Sequence, residues 1–227
     1  MEKAIYLYTT FIPSLLLKWI VYLVYPLTMI GISATIGGNY SFFALIVMPL
    51  TFGIENIINA IMFKGIATKN PVRIEYMHTS GKGISLFGDV LKVDVIRRFL
   101  TVCIVMMTPV VYTKLFRVDG VAALELRVNG RTVIDATNSL YFLMAALILV
   151  IIIEIDVWIA RKSKSGIVHF LSVFIGYMLC VDMGRTVFAF SEKMLIIAFV
   201  IAIVVYALVV TFSYKNIMKS EERKFFD

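Results

Sequence analysis

The chain has 227 residues, of which 60% are hydrophobic and 16% charged, and its net charge is +7. A soluble domain is about half apolar, so a mean hydropathy of +0.91 argues against an ordinary soluble fold and indicates a membrane protein. The positive charge does not point to nucleic acid, because Lys and Arg concentrate in the cytoplasmic loops of membrane proteins.

Six apolar blocks predict six membrane-spanning helices, since a helical crossing needs about 20 mainly apolar residues. They cover roughly 15–36, 42–63, 90–113, 140–159, 167–187 and 194–212. The basic residues concentrate in the segments that lie inside when both termini are cytoplasmic. We therefore expect an all-α, multi-pass protein of the cell membrane, with residues 1–227 forming a single transmembrane domain.

Residues 3–14 mix aromatic, apolar and polar side chains, and Pro13 then breaks the pattern. This is typical of an N-terminal interfacial helix lying in the headgroup plane, although a simple extension of the first span would fit as well. Pro26, Pro49 and Pro109 lie within the first three spans, where proline usually kinks a helix.

The second span carries a polar patch at Glu55, Asn56 and Asn59. Glu55 and Asn59 share one helix face, and a charge in hydrocarbon is costly unless it is paired or hydrated. The patch either lines a translocation path or proton site, or clamps two helices together. Glu154 and Asp156, near the inner end of the fourth span, are expected to pair with the cations that follow them, Arg161, Lys162 and Lys164.

A polar, basic island at residues 64–98 separates the second and third spans. Asn70-Pro71 is a helix-start signal, which predicts a short helix over 71–79 on the cytoplasmic face. A turn follows at 80–83, and a second helix is expected from near Ile84, running unbroken into the third span. On the other side of the membrane, Asn129-Gly130 between alternating apolar residues predicts a small extracellular β-hairpin at 125–134.

No catalytic or metal-ligating constellation is recognisable, and the chain is not expected to be an enzyme. Its two histidines, His78 and His169, are far apart in sequence, and its two cysteines fall inside apolar spans. The glycines at 81–88 lack the lysine and hydroxyl that hold phosphate and magnesium in a P-loop. If ATP drives this protein, another chain must bind it.

The arrangement resembles the permease subunits of ABC-2 type transporters, which have six spans, both ends inside and a coupling helix between spans two and three. Compact members show the pattern leucine-proline-x-Ser-Arg-Lys-x-Ile-x-Leu before span three. Here Ser80, Lys82, Ile84 and Leu86 fit the pattern, whereas His78 and Gly81 replace its proline and arginine. The short connection between spans five and six favours a compact member, similar to exporters of phenol-soluble modulins or other amphipathic peptides.

The resemblance implies a dimer, with a second copy or a paralogue, that works by alternating access and exports a hydrophobic or amphipathic substrate. A separate ATPase subunit would hold ATP and Mg, and this chain would hold no cofactor. Glu55, Asn56 and Asn59 would line or support the path. The implied contacts with the ATPase are Pro71, Arg73, Glu75, Tyr76, Met77, His78, Thr79, Ser80 and Lys82. A membrane-embedded substrate-binding subunit of an energy-coupling vitamin transporter remains the alternative, and an integral-membrane enzyme is disfavoured.

Overall fold

The computed structural model describes residues 15–36, 43–60, 83–115, 127–128, 131–132, 136–163 and 165–226. In these ranges the chain is helical apart from two short strands and the residues 163, 165 and 189–191 that connect helices. The helices are α1 (Leu15–Ile36), α2 (Phe43–Asn59), α3 (Gly83–Leu115), α4 (Ala136–Lys162), α5 (Gly166–Phe188) and α6 (Glu192–Phe226). The strands are β1 (Arg127–Val128) and β2 (Arg131–Thr132).

Four of these helices, α1, α4, α5 and α6, are long and apolar enough to cross a membrane. This indicates a membrane-embedded protein. Helix α2 is apolar but shorter, and the first half of α3 is rich in charge. The predicted third helix is confirmed as a continuous element, because α3 runs for 33 residues from Gly83 without interruption.

Helix α4 is the centre of the bundle. Of its most apolar stretch, 67% is buried, against 11% in both α5 and α6. It packs against α2, α3, α5 and α6, for example through Phe142 on Phe43 of α2 and Trp158 on Phe212 of α6. The outer faces of α1, α5 and α6 remain apolar and exposed, as expected for surfaces that meet lipid.

The three prolines within helices are accommodated in two ways. A π-helical turn precedes Pro26 at Ile20–Val24, and another precedes Pro49 at Phe43–Val47; such wider turns absorb the clash between the proline ring and the preceding turn. Pro109 deprives the Val105 carbonyl of its helical donor, and the buried Ser33 hydroxyl of α1 donates to that carbonyl at 2.7 Å. Ser33 thus restores a lost helical hydrogen bond and joins α1 to α3.

Strands β1 and β2 pair antiparallel, with Arg127 opposite Thr132 and Val128 opposite Arg131. The pairing agrees with the predicted hairpin, whose Asn129-Gly130 turn lies outside the described residues. The predicted interfacial helix at 3–14 and the predicted coupling helix at 71–79 also lie outside them.

Helix α5 approaches α2 closely because it presents glycines there. A Cβ on Gly176 would lie 2.4 Å from the Phe52 ring, and one on Gly184 would lie 2.7 Å from Met48 Sδ and 2.9 Å from Ala44 Cβ. Phe52, Met48 and Ala44 are fully buried, so they can shift little to accommodate an added Cβ. Small residues commonly permit such contacts between membrane helices.

Replacing Gly184 with leucine is therefore expected to separate α2 from α5 and to lower the free energy of unfolding by about 1–3 kcal/mol. Gly53 is the matched control, since a Cβ there meets no atom within 4 Å. Gly53→Leu should be neutral or should stabilise the chain by up to about 1 kcal/mol through helix propensity. The free energy of unfolding in detergent is measured for both variants. An equal decrease in Gly184→Leu and Gly53→Leu would contradict this account of the α2–α5 contact.

Candidate functional site: a buried charge network

Six charged side chains from α2, α3 and α4 meet inside the bundle. Glu55 is fully buried in α2, and Arg97 of α3 binds its carboxylate with two hydrogen bonds, at 3.1 Å to Oε1 and 2.7 Å to Oε2. The Tyr25 hydroxyl of α1 also donates to Oε1 at 3.0 Å. Bidentate pairing with a guanidinium is the strongest geometry available to a carboxylate, so Glu55 is held from two sides.

Arg98 forms the centre of this network and is itself fully buried. Its two terminal nitrogens donate to Glu154 of α4 and to Asp94, one turn earlier in α3. Its Nε lies 3.7 Å from Glu55 Oε2. A single guanidinium therefore contacts carboxylates from three helices.

Arg161 completes the network near the end of α4. It donates to Asp94 Oδ2 at 2.8 Å, and to Asn59 Oδ1 at 3.1 Å from Nε and 2.9 Å from the terminal nitrogen. Asn59 is the last residue of α2, so this contact joins the adjacent ends of α2, α3 and α4.

The network is balanced in charge. Three carboxylates, those of Glu55, Asp94 and Glu154, face three guanidiniums, those of Arg97, Arg98 and Arg161. Moving each charge out of water costs several kcal/mol, and only mutual attraction and hydrogen bonding offset that cost. The arrangement therefore favours one relative placement of the helices, because sliding any of them would leave buried charges unpaired.

A second polar cluster lies beside the network but does not share its cations. Asp156 of α4 is buried, and neither of its carboxylate oxygens has a hydrogen-bond partner. The groups of neighbouring helices that act on this carboxyl are Ser172 and His169 of α5 and Asn56 of α2. The polar patch of α2 is thus divided, with Glu55 and Asn59 in the network and Asn56 beside Asp156.

The expectation that Glu154 and Asp156 pair with the cations following them is wrong for the part of the chain that the structure describes. Glu154 pairs with Arg98, Arg161 pairs with Asp94, and Asp156 has no ion pair. The physical reason is that α4 is the buried central helix, so its carboxylates face other helices instead of an interface with water.

Sequence reasoning missed the partners contributed by α3. The sequence places Asp94, Arg97 and Arg98 in the polar, basic island at 64–98 and gives them no partners. The available signal was their spacing, since positions i, i+3 and i+4 lie on one helix face, in a helix predicted to continue into a span. All nine residues predicted to contact an ATPase, from Pro71 to Lys82, lie outside the described residues.

Comparisons with known proteins identified no relative of this chain. No family model matches the chain, no curated protein matches it, and no solved structure matches it.

Proposed function

We propose that the chain is the permease subunit of an ATP-driven transporter whose ATPase is a separate protein docking at residues 71–82. The observation that supports this proposal is the continuity of α3. This helix begins at Gly83, directly after the proposed docking segment, and about three turns later it presents Asp94, Arg97 and Arg98 to the buried network.

Helix α3 is suited to transmit a movement. At 1.5 Å per residue its 33 residues extend about 50 Å, so a displacement of its first turn moves the whole helix as one rigid element. The charge network joins α3 to α1 through Tyr25 and Glu55, and to α2 through Glu55 and Asn59. It also joins α3 to α4 through Glu154 and Arg161. A force applied beside Gly83 therefore moves four helices together.

In the proposed orientation both termini and the turn between α4 and α5 face the cytoplasm. Two copies, or one copy and a paralogue, alternate access to a hydrophobic or amphipathic substrate such as a peptide, and the substrate is exported. Glu55 and Asn59 support the path by fixing the helices around it. The exposed apolar faces of α1, α5 and α6 supply surface for lipid and for the second permease subunit.

Purification of the chain with its native partners tests this proposal. We expect an ATPase to co-purify in equal numbers, and charge reversal at Glu75→Lys together with Lys82→Glu to abolish both its association and transport. Lys193→Glu is the control, because Lys193 is exposed near the start of α6, at the end of the bundle away from the α4–α5 turn.

Retained association and transport in the double reversal would refute the docking site. A small ligand bound by the purified chain without any ATPase would instead identify it as a substrate-binding subunit of an energy-coupling transporter.

A further inference from the structure

The inference concerns Asp156, which faces α2 and α5 and is not part of the charge network. Ser172 and Asn56 act on its carboxyl, but the hydrogen bonds that their side chains form go to backbone carbonyls. The Ser172 hydroxyl donates to the His169 carbonyl at 2.9 Å, and the Asn56 amide nitrogen donates to the Phe52 carbonyl at 3.2 Å.

Several buried polar atoms of this cluster lack a hydrogen-bond partner. Both carboxylate oxygens of Asp156 and the side-chain oxygen of Asn56 are buried and lack a hydrogen-bond partner, as does Nδ1 of His169. An ionised carboxylate can only accept, and a buried charge without partners costs several kcal/mol. One added proton removes the charge and also provides the missing donor.

Among the residues that the structure describes, no permanent cation pairs with Asp156. From α5 the titratable groups near it are His169 and Cys180, and α2 faces it with the neutral Asn56. The charged groups of α3 are directed at Glu55, Glu154 and Arg161. Tyr206 of α6 lies near Glu154 and not near Asp156.

His169 offers the cluster a connection to water. It lies three residues after Gly166, the first residue of α5, and is only half-buried. Ser163 and Ser165, which lie between α4 and α5, mark the nearest end of the bundle. An imidazole can accept a proton on one nitrogen and release one from the other, so His169 can pass a proton between this end and Asp156.

We propose that Asp156 is a proton-binding site inside the bundle. Its carboxyl is protonated at neutral pH and donates to Asn56 Oδ1, and His169 exchanges the proton with water at the α4–α5 turn. On binding, an N–H bond of the imidazolium breaks and an O–H bond of the carboxyl forms, and release reverses both changes; the imidazole then regains or loses its proton to water. The site does not depend on an ATPase partner.

Infrared spectroscopy of the purified chain in lipid tests the protonation directly. At neutral pH we expect the carbonyl band of a protonated carboxylic acid, shifted in D₂O, to disappear in Asp156→Asn and to remain in Asp182→Asn. Asp182 is the control because it is an exposed carboxyl in α5. A band that is absent from the wild type, or that persists in Asp156→Asn, would overturn the proposal.

A second measurement does not require the Asp156 variant to fold. A hydrophobic carbodiimide reacts with protonated carboxyls in apolar surroundings, and mass spectrometry of the wild-type chain should locate the label at Asp156 and not at Asp182. Labelling confined to other carboxyls would overturn the proposal. So would sodium-dependent stabilisation, compared with choline at equal ionic strength, since it would identify an ionised Asp156 holding an alkali cation.

His169→Gln tests the exchange route. The acid band should remain, because Asp156 is untouched, but its hydrogen–deuterium exchange should slow by about 100-fold, the lower range for a positioned proton-transfer group. Unchanged exchange would overturn the assignment of His169 as the exchanging group.

Discussion

Replacing Arg98 with methionine is expected to lower the free energy of unfolding by about 3–5 kcal/mol, the usual cost of removing one partner of a buried ion pair. Methionine fills most of the space but removes the cation that Glu154 binds and the closest cation of Asp94, which keeps Arg161 and a longer contact to Arg97. Unfolding in mixed micelles, followed by circular dichroism, measures the loss. Arg185→Met is the control, since Arg185 is exposed on α5.

A double variant distinguishes charge balance from simple loss of packing. Arg98→Met combined with Glu154→Met leaves Glu55 and Asp94 facing Arg97 and Arg161, so the network is again neutral. We expect this double variant to be more stable than Arg98→Met alone. The charge-balance explanation would be wrong if adding Glu154→Met lowered the free energy of unfolding further. It would also be wrong if Arg98→Met lowered that free energy no more than Arg185→Met does.

Weakening α3 between the docking segment and the network is expected to reduce transport by at least about tenfold while the ATPase remains bound. Asp89 and Lys92 suit this purpose because their side chains are 48% and 59% exposed and pair with each other at the surface, at 2.9 Å. Replacing both with glycine costs about 2 kcal/mol of helix propensity relative to alanine, and 1.4 kcal/mol corresponds to a factor of ten. ATP hydrolysis and substrate transport, measured together in proteoliposomes, report the uncoupling.

The matched control is the double alanine variant at the same positions. It removes the same ion pair, and the same contact of Lys92 with the Tyr214 ring, but it keeps α3 rigid. Transport in the alanine variant should stay near that of the wild type. Equal transport in the glycine and alanine variants would show that continuity of α3 is not what couples the ATPase to the bundle.

The helices could be predicted because each carries its own signal. The apolar runs of α4, α5 and α6 are long enough to identify without knowledge of their neighbours. The unbroken α3 also followed from local pattern, since its apolar positions recur at helical spacing from Ile84 onward. The hairpin signal at Asn129-Gly130 is equally local, and the paired residues on either side agree with it.

The site was only half predictable, because the ion-pair partner of a buried charged side chain depends on how the helices are rotated and packed against each other. Glu55 and Asn59 were recognisable as polar residues in an apolar span. That Arg97 would bind Glu55, 42 positions away, and Arg98 would bind Glu154, 56 positions away, depends on the crossing of α2, α3 and α4. The central position of α4 likewise cannot be recognised from its own sequence, since α6 is even more apolar than α4 and yet lies at the periphery of the bundle.

The separation of these partners along the chain has a consequence for how the protein is made. A ribosome delivers Glu55 before Arg97, and Arg98 well before Glu154, so these charges leave the exit tunnel before their partners from other helices, and Asp94 alone accompanies the two arginines of α3. Charged residues at the centre of a helix oppose insertion into the bilayer by about 2.5–3.5 kcal/mol each on translocon scales, and α3 carries three within five residues. Helix α3 is therefore expected to remain at the insertion machinery until α4 has been synthesised, so that α2, α3 and α4 enter the membrane as one neutral unit.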